Sequence, residues 1–240
     1  MRNGDSRSAD AIARNVRVVL DRISRAAIRA GRRPETVRLV AVTKSVPAER
    51  IRRAIDAGVR LIGENRLQEA VPKIDALGGA RDVRWHFIGQ LQRRKVKAVV
   101  GTFELIHSVD SVELAAEIDR RAGDAGIRQR VLLEINVGRE ATKAGFAPDE
   151  AAQAVAALED MPNLAVQGLM AIPPSAPDAE ASRPYFRELR ELAGALASPG
   201  LRRVRMEELS MGMSQDFEVA IEEGATLVRV GTALFGERHG

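Results

Sequence analysis

The feature of this sequence that most constrains its fold is a regular alternation of short apolar runs with segments of helical period. Eight runs rich in Val, Ile and Leu recur, and nearly every one is followed by a segment whose apolar residues repeat every three or four positions. The runs are Arg38–Lys44, Arg60–Glu64, Val83–Gly89, Glu104–Val109, Arg130–Val137, Leu164–Met170, Met206–Ser210 and Thr226–Gly231. Eight strands alternating with helices predict a protein of the α/β class with a single (β/α)8 TIM barrel. A doubly wound open sheet has the same periodicity and is the alternative.

One further helix is predicted before the first strand. Apolar residues repeat at helical spacing between Ser8 and Gly31, namely Ile12, Val16, Val19, Leu20, Ile23 and Ala27. A chain of 240 residues fits one barrel domain. We therefore expect residues 1–36 to form an N-terminal helical extension and residues 37–240 to form the barrel.

Two of the intervening helices have recognisable ends. Pro47 is placed to begin one helix and Gly58 to follow its last turn. Ser214 is placed to cap the start of another, which Gly224 would follow.

Composition excludes several classes of function. The chain has no cysteine and three histidines, which argues against disulfides, thiolate catalysis and a zinc site. No stretch reaches the roughly 20 apolar residues of a membrane span, and no secretory signal is evident, so a cytoplasmic protein is expected. The 37 basic residues are interleaved with 33 acidic ones, and aromatic residues make up 3%, so nucleic acid is not an expected partner despite a net charge of +4.

Lys44 is the first candidate for chemistry. It ends the first apolar run, and catalytic groups of such barrels lie at the C-terminal ends of the strands. Partial burial there would favour the neutral amine, which can attack an aldehyde to form a Schiff base. The alternative is a lysine whose charged end simply reaches water from the strand end.

Two late loops are candidates for binding a phosphate. Ser210–Ser214 follows the seventh run and Gly231–Gly236 follows the eighth. Phosphate sites of these barrels commonly use these two loops, where glycines allow close approach to backbone N–H groups. Each loop alone could equally be an ordinary helix cap or turn. Together with Lys44 they favour a phosphorylated aldehyde.

Arg229 and His86 have two interpretations each. Arg229 lies inside an apolar run and needs an anionic partner, either a cofactor or Glu134 across the barrel. His86 is equally plausible as a hydrogen-bonded core residue or as a ligand contact.

Seven motifs, distributed over nearly the whole chain, resemble those of the pyridoxal phosphate homeostasis protein family. They are AVTKSVP around Lys44, IGENRLQEA from Ile62, WHFIGQLQRRK from Trp85, INVGREATKAGF from Ile135, GLMAIPP from Gly168, LSMGMSQDFEVAI from Leu209 and VRVGTALFG from Val228. The resemblance implies a barrel like the N-terminal domain of alanine racemase, with pyridoxal 5′-phosphate (PLP) bound as an internal aldimine. It implies a role in PLP supply without established turnover. We expect a monomer that holds PLP as a reservoir, with PLP-dependent apoenzymes as partners.

The resemblance also implies roles for individual residues. Lys44 would be the aldimine lysine, and Asn65 and Arg229 would lie near the ring. The phosphate would be held by Ser210, Gly212, Gly231 and Thr232. Lys143 matches a lysine associated with secondary PLP contact, although an exposed, solvated lysine is the alternative. Arg94 and Arg139 depart from the residues usual in the family, outside these contacts.

Two other classes of function compete with a PLP reservoir. A PLP-dependent racemase or decarboxylase would need acid and base groups over the ring. Racemases of this type use a tyrosine and a second domain, whereas Tyr185 is the only tyrosine here and falls in a predicted helix. The third class is a Schiff-base aldolase in which Lys44 attacks the substrate without a cofactor.

Overall fold

The eight apolar runs form one closed sheet in the computed structural model, which describes residues 3–78 and 82–237. The strands are β1 (Arg38–Val42), β2 (Leu61–Glu64), β3 (Arg84–Phe87), β4 (Leu105–Val109), β5 (Gln129–Glu134), β6 (Leu164–Met170), β7 (Val204–Ser210) and β8 (Leu227–Val230). Each strand pairs in parallel with the next, and β8 pairs with β1, with Val40 opposite Arg229. The barrel prediction is confirmed, and the open sheet is excluded.

Helices surround the sheet and connect its strands. They are α1 (Asn3–Arg29), α2 (Ala48–Asp56), α3 (Leu67–Leu77), α4 (Val96–Val99), α5 (Val112–Asp124), α6 (Ala151–Glu159), α7 (Arg183–Leu196), α8 (Phe217–Glu222) and α9 (Thr232–Phe235). Within residues 3–78 and 82–237, no helix is both long enough and apolar enough to cross a bilayer.

The predicted N-terminal helix is α1, which packs against α2, α8 and α9 on the outside of the barrel. Its apolar face is buried, because Ile12, Val16, Val19 and Ile23 are each at most 3% exposed. Burial of one such side chain contributes about 1.5–3 kcal/mol. Leu20 does not share this face and is 40% exposed, since it lies about 100° around the helix from Val19.

The barrel interior holds both apolar and polar side chains. An apolar cluster comes from six strands and consists of Val40, Leu61, Leu105, Leu132, Met170 and Leu227. The buried polar side chains beside it include His86, His107, Ser210 and Arg229. The alternation of side chains along a strand turns Arg229 inward, two residues after Leu227. The fold therefore aims polar groups at the C-terminal mouth.

Two of the residues predicted to stand at helix ends have the predicted role, and another does not. Gly58 and Gly224 follow α2 and α8 with φ of +109° and +106°, the left-handed backbone typical of the position after a helix. Ser214 does not cap α8, which begins at Phe217. Its hydroxyl instead accepts from backbone N–H groups of the loop after β8, so the predicted cap is wrong.

Candidate functional site

A cavity of about 470 Å³ opens at the C-terminal mouth of the barrel between β1, β8 and the loop that follows β7. Its lining consists of Val42, Lys44, Met213, Ser214, Gln215, Asp216, Arg229, Gly231, Thr232 and Ala233. The volume lies within the range of small-molecule sites. The cavity combines an amine, a guanidinium group, hydroxyl groups and backbone donors.

Lys44 follows β1 by two residues and is half-buried. The backbone on both sides of it is held from α3. Lys73 Nζ donates to the carbonyl oxygen of Thr43 at 2.7 Å, and the backbone N–H of Ser45 donates to Glu69 Oε2 at 2.7 Å. Ser45 has a φ of +59°, which is uncommon for a residue other than glycine. The α3 contacts therefore fix the turn from which Lys44 reaches the cavity.

Asn65 follows β2, the neighbour of β1. Val42 pairs with Gly63, so continuing the register two residues further places Lys44 and Asn65 at the same level of the barrel. Asn65 Oδ1 is buried and has no hydrogen-bond partner. A buried amide oxygen without a partner is rare, and a bound ligand with a hydrogen-bond donor would satisfy it.

The loops after β7 and β8 are tied together by Ser214. Its Oγ accepts hydrogen bonds from the backbone N–H groups of Gly231 and Ala233, both at 3.3 Å. The β7 loop is also closed internally, because Met213 N donates to Asp216 Oδ1 at 2.6 Å. Ser214 thus brings a hydroxyl oxygen and two N–H groups together on the cavity wall.

Gly212 makes the tight turn of the β7 loop possible. Its φ is +87°, and a Cβ atom there would lie 2.5 Å from the Cβ of Ala220 and 2.9 Å from the Cα of Phe217. No side chain can occupy this position without moving α8. Gly212 is buried and shapes the loop from behind the cavity surface.

Arg229 is buried at the base of the cavity. Its Nη1 donates to Ser210 Oγ at 2.6 Å and its Nη2 donates to the carbonyl oxygen of Ala171 at 2.9 Å. Burial lowers the pKa of Arg229 to about 10, although the carboxylates of Glu134 and Asp216 oppose this shift. The guanidinium hydrogen bonds go to a hydroxyl and a carbonyl, and the influence of Glu134 is electrostatic at longer range.

Ser210 is fully buried and links Arg229 to a pair of histidines. His107 Nδ1 lies 2.9 Å from Ser210 Oγ, and His107 Nε2 lies 3.0 Å from His86 Nδ1. Because Arg229 can only donate, the arrangement that satisfies every group has the Ser210 hydroxyl donating to His107 and His107 Nε2–H donating to His86. Burial is the main cause that lowers the pKa of His86 to about 3 and holds that of His107 well below its ordinary value. Both rings are therefore neutral, and His86 is a core residue.

Glu134 ends β5 and is half-buried. Burial, together with the charge of Asp110, raises the pKa of Glu134 to about 7, against the opposing influence of Arg229. This carboxyl group is poised to change charge near neutral pH.

The structure brings four of the predicted site residues together on the cavity wall, namely Lys44, Arg229, Gly231 and Thr232. Ser210, Gly212 and Asn65 do not belong to that lining. Ser214 and Asp216 line the cavity and were not predicted as site residues. The sequence did contain a signal for Ser214. It is the second serine of the SMGMS motif and lies beyond the end of β7, where a loop can turn its side chain toward the cavity.

Lys143 is exposed and lines a neighbouring cavity of about 550 Å³. The two cavities share Met213, Gln215 and Asp216. Lys143 therefore stands beside the candidate site on a separate wall.

Comparison with known proteins decides the family. The family model described as alanine racemase, N-terminal domain, matches residues 8–239. A pyridoxal phosphate homeostasis protein of Aquifex aeolicus is 50% identical over 220 residues, which are 92% of this chain and 95% of that protein. The one from Escherichia coli K12 is 42% identical over 229 residues, covering 95% and 97%. The chain belongs to the pyridoxal phosphate homeostasis protein family.

Solved structures agree with membership of the pyridoxal phosphate homeostasis protein family. PipY of Synechococcus elongatus PCC7942, solved with PLP bound, is 38% identical and matches with a TM-score of 0.78 over 91% of this chain and 100% of that one. An alanine racemase of Clostridium difficile 630 is 18% identical with a TM-score of 0.69, and the match covers 94% of this chain and 56% of the racemase. The racemase shares the fold.

Proposed function

We propose that this chain binds PLP in the cavity around Lys44 and acts in PLP homeostasis as a cofactor reservoir. The observation that carries the proposal is the convergence of Lys44, Arg229 and the two late loops on one cavity. The similarity to PipY, whose structure was solved with PLP, supports the same ligand. The buried Asn65 Oδ1 without a partner, at the level of Lys44, fits a site completed by a polar ligand.

We assign the phosphate to the wall formed by the loops after β7 and β8. Thr232 and Gly231 line that wall, and Ser214 offers a hydroxyl group there. Backbone N–H groups suit a phosphate because they point at the anion without carrying a flexible side chain. Gly212 contributes the turn that sets the position of Ser214. Ser210 acts through Arg229, because its Oγ is occupied by Arg229 and His107.

We assign Lys44, Asn65 and Arg229 to the remainder of the cofactor. When bound, PLP would supply an aldehyde, and the Lys44 amine is the group that would condense with it, with loss of water. Lys73 and Glu69 hold the backbone on both sides of that amine, which limits where Nζ can reach. Arg229 brings a buried positive charge to the base of the cavity, held in place by Ser210 and Ala171.

We propose binding without catalytic turnover. Tyr185, the only tyrosine of the chain, lies on α7, packs against the hydrophobic core and does not line the cavity. A racemase-like acid or base would have to come from another residue.

The first experiment locates the bond. Titration of the protein with PLP should give the near-visible absorbance of a Schiff base, and borohydride reduction with peptide mass spectrometry should place the pyridoxyl group on Lys44. Lys44→Ala should lose the absorbance, whereas Lys97→Ala, an exposed lysine of α4, should keep it. A label on another lysine would overturn the assignment, and Lys143→Ala tests the neighbouring cavity in the same way.

The second experiment separates a reservoir from an enzyme. The PLP-loaded protein is incubated with D- and L-amino acids while chirality and CO₂ release are followed. Sustained turnover would replace the reservoir with a racemase or decarboxylase.

The proposal includes a cytoplasmic monomer that passes PLP to apoenzymes. The molar mass from light scattering during size-exclusion chromatography tests whether the protein is a monomer. Fractionation of cells tests where the protein is located. Reactivation of a PLP-dependent apoenzyme by the loaded chain, compared with an equal amount of free PLP, tests delivery.

A further inference from the structure

A second polar cavity lies at the opposite end of the barrel. It has a volume of about 530 Å³ and is lined by Arg128, Arg130, Ala165, Gln167, Arg202, Arg203, Arg205 and Glu207. These residues lie just before β5 and β7 or between the first residue and the midpoint of β5, β6 and β7. Lys44 is at the C-terminal mouth, so the length of a seven-residue strand, about 20 Å, separates the two ends. We call this second cavity the arginine cavity.

The arginine cavity has an excess of positive charge. Five of its lining residues are arginines and one is a glutamate. Glu207 pairs with Arg205 at 3.2 Å, and Arg130 pairs with Glu104 at 3.1 Å. Three guanidinium groups, those of Arg128, Arg202 and Arg203, have no carboxylate within ion-pair distance in the described part of the chain.

The backbone that carries two of these groups is held rigidly. The Glu159 carboxylate at the end of α6 accepts hydrogen bonds from the N–H groups of Arg202, Arg203 and Val204 at 2.8, 3.0 and 3.2 Å. Both carboxylate oxygens of Glu159 are engaged by these backbone N–H groups, and the positive charge of Arg203 helps to lower the pKa of Glu159. The segment is therefore fixed before any ligand arrives, which lowers the entropic cost of binding.

Arg203 has an unused donor. Its Nη1 donates to the carbonyl oxygen of Glu159 at 3.1 Å, while its Nε is buried and has no acceptor. A buried donor without an acceptor costs free energy, and a ligand or ordered water that accepts from it would remove that cost.

We propose that the arginine cavity binds a small anion made of two or three linked phosphate groups. Guanidinium groups bind phosphate through paired N–H donors, and three of them match the charge of such an anion better than that of a single carboxylate. Among the described residues that line the cavity there is no aromatic ring, so a nucleobase would find no stacking partner. The phosphate chain is therefore the recognised part.

Binding of inorganic triphosphate to the full chain, measured by calorimetry near physiological salt, tests the proposal. Triphosphate should bind more tightly than orthophosphate, and its affinity should fall as salt is raised. Arg128→Ala with Arg202→Ala should weaken triphosphate binding at least tenfold. The matched control is Arg14→Ala with Arg17→Ala, which removes two exposed arginines of α1 and should leave binding unchanged.

Lys44→Ala separates this cavity from the cofactor site. Triphosphate binding that survives Lys44→Ala supports the arginine cavity, whereas binding that is lost with Lys44→Ala places the anion at the other mouth and overturns the proposal. Equal binding by the wild type and the Arg128/Arg202 variant also overturns it. An arginine-dependent affinity for a single-stranded RNA oligonucleotide without triphosphate binding would replace the proposal with a nucleic-acid surface. Thermal unfolding confirms that each variant is folded, which is expected because neither Arg128 nor Arg202 makes a side-chain hydrogen bond in the described structure.

Discussion

The carboxylate of Glu69 accepts a hydrogen bond from the backbone N–H of Ser45, with 2.7 Å between Oε2 and N. This bond is the main cause of the lowered pKa of Glu69. It holds a residue with a φ of +59° directly after Lys44. A side chain of α3 thus controls the backbone next to the candidate Schiff-base lysine.

Glu69→Ala is expected to weaken PLP binding by about 1–2 kcal/mol, because the turn after Lys44 loses a charge-assisted hydrogen bond. Spectrophotometric titration of the Schiff base measures the affinity. Glu69→Gln is the matched variant, since its amide oxygen can still accept from Ser45, and it should retain most of the affinity. Equal affinities for wild type and Glu69→Ala would show that the turn needs no support from α3.

The two serines of the SMGMS motif are expected to behave differently. Ser214→Ala should weaken PLP binding by about 1 kcal/mol. It should lower the free energy of unfolding by less than Ser210→Ala does, because the N–H groups of Gly231 and Ala233 that lose their acceptor lie on the cavity wall, where water can replace it. Ser210→Ala should lower the free energy of unfolding by about 1–3 kcal/mol, since Arg229 and His107 lose a buried partner. Urea unfolding and PLP titration of both variants separate the effects. The opposite pattern would return the phosphate contact to Ser210.

Glu134→Gln is expected to stabilise the apo protein above neutral pH. Burial raises the pKa of Glu134 to about 7, so the folded state keeps a proton that the unfolded state releases near pH 4.5. The free energy of unfolding of the wild type therefore carries a penalty that grows from about pH 4.5 to 7 and then stays constant. Urea unfolding should show the variant more stable by on the order of 2 kcal/mol at pH 8 and nearly equal to wild type at pH 4. An equal difference at both pH values would contradict the shift.

His86 and His107 are expected to stay neutral through the physiological range. The pKa of His86 is lowered to about 3, mainly by burial, and that of His107 is also well below its ordinary value. As the pH falls below about 6.5, the two histidines bind protons in the unfolded state but not in the folded state. The free energy of unfolding therefore decreases as the pH falls from about 6.5 toward 3. Ring signals of both histidines in NMR spectra should not move between pH 8 and 5. A titration midpoint near 6.5 for either ring would contradict the buried arrangement; the third histidine, His239, lies outside the described residues.

Much of the fold follows from local sequence. Every apolar run became a strand, because a barrel strand packs against helices outside and other side chains inside. The positions of Lys44 and Arg229 at the mouth follow from the same rule, since they end or nearly end the first and last runs. Whether a side chain near a strand end points into the barrel depends on whether its residue still belongs to the strand. Ser210 is the last residue of β7 and points inward, whereas Ser214, four residues later, belongs to a loop.

The polar network inside the barrel could not be predicted in the same way. His107 and Ser210 are 103 residues apart, and only closure of the sheet brings them within 2.9 Å. The support of Ser45 by Glu69 depends on the packing of α3 beside the end of β1, which periodicity does not report. The arginine cavity likewise combines Arg128 with Arg202, from separate connections.

The candidate cofactor site lies where β1 meets β8. The β1 side of the site is therefore synthesised early in translation, and the β8 side is synthesised late. A growing chain carries Lys44 early but has no Arg229 or Gly231 until the final strand has been synthesised. A ribosome-bound fragment that stops before β8 would lack the wall assigned to the phosphate. Tight binding of PLP would then distinguish chains whose synthesis and barrel closure are both complete.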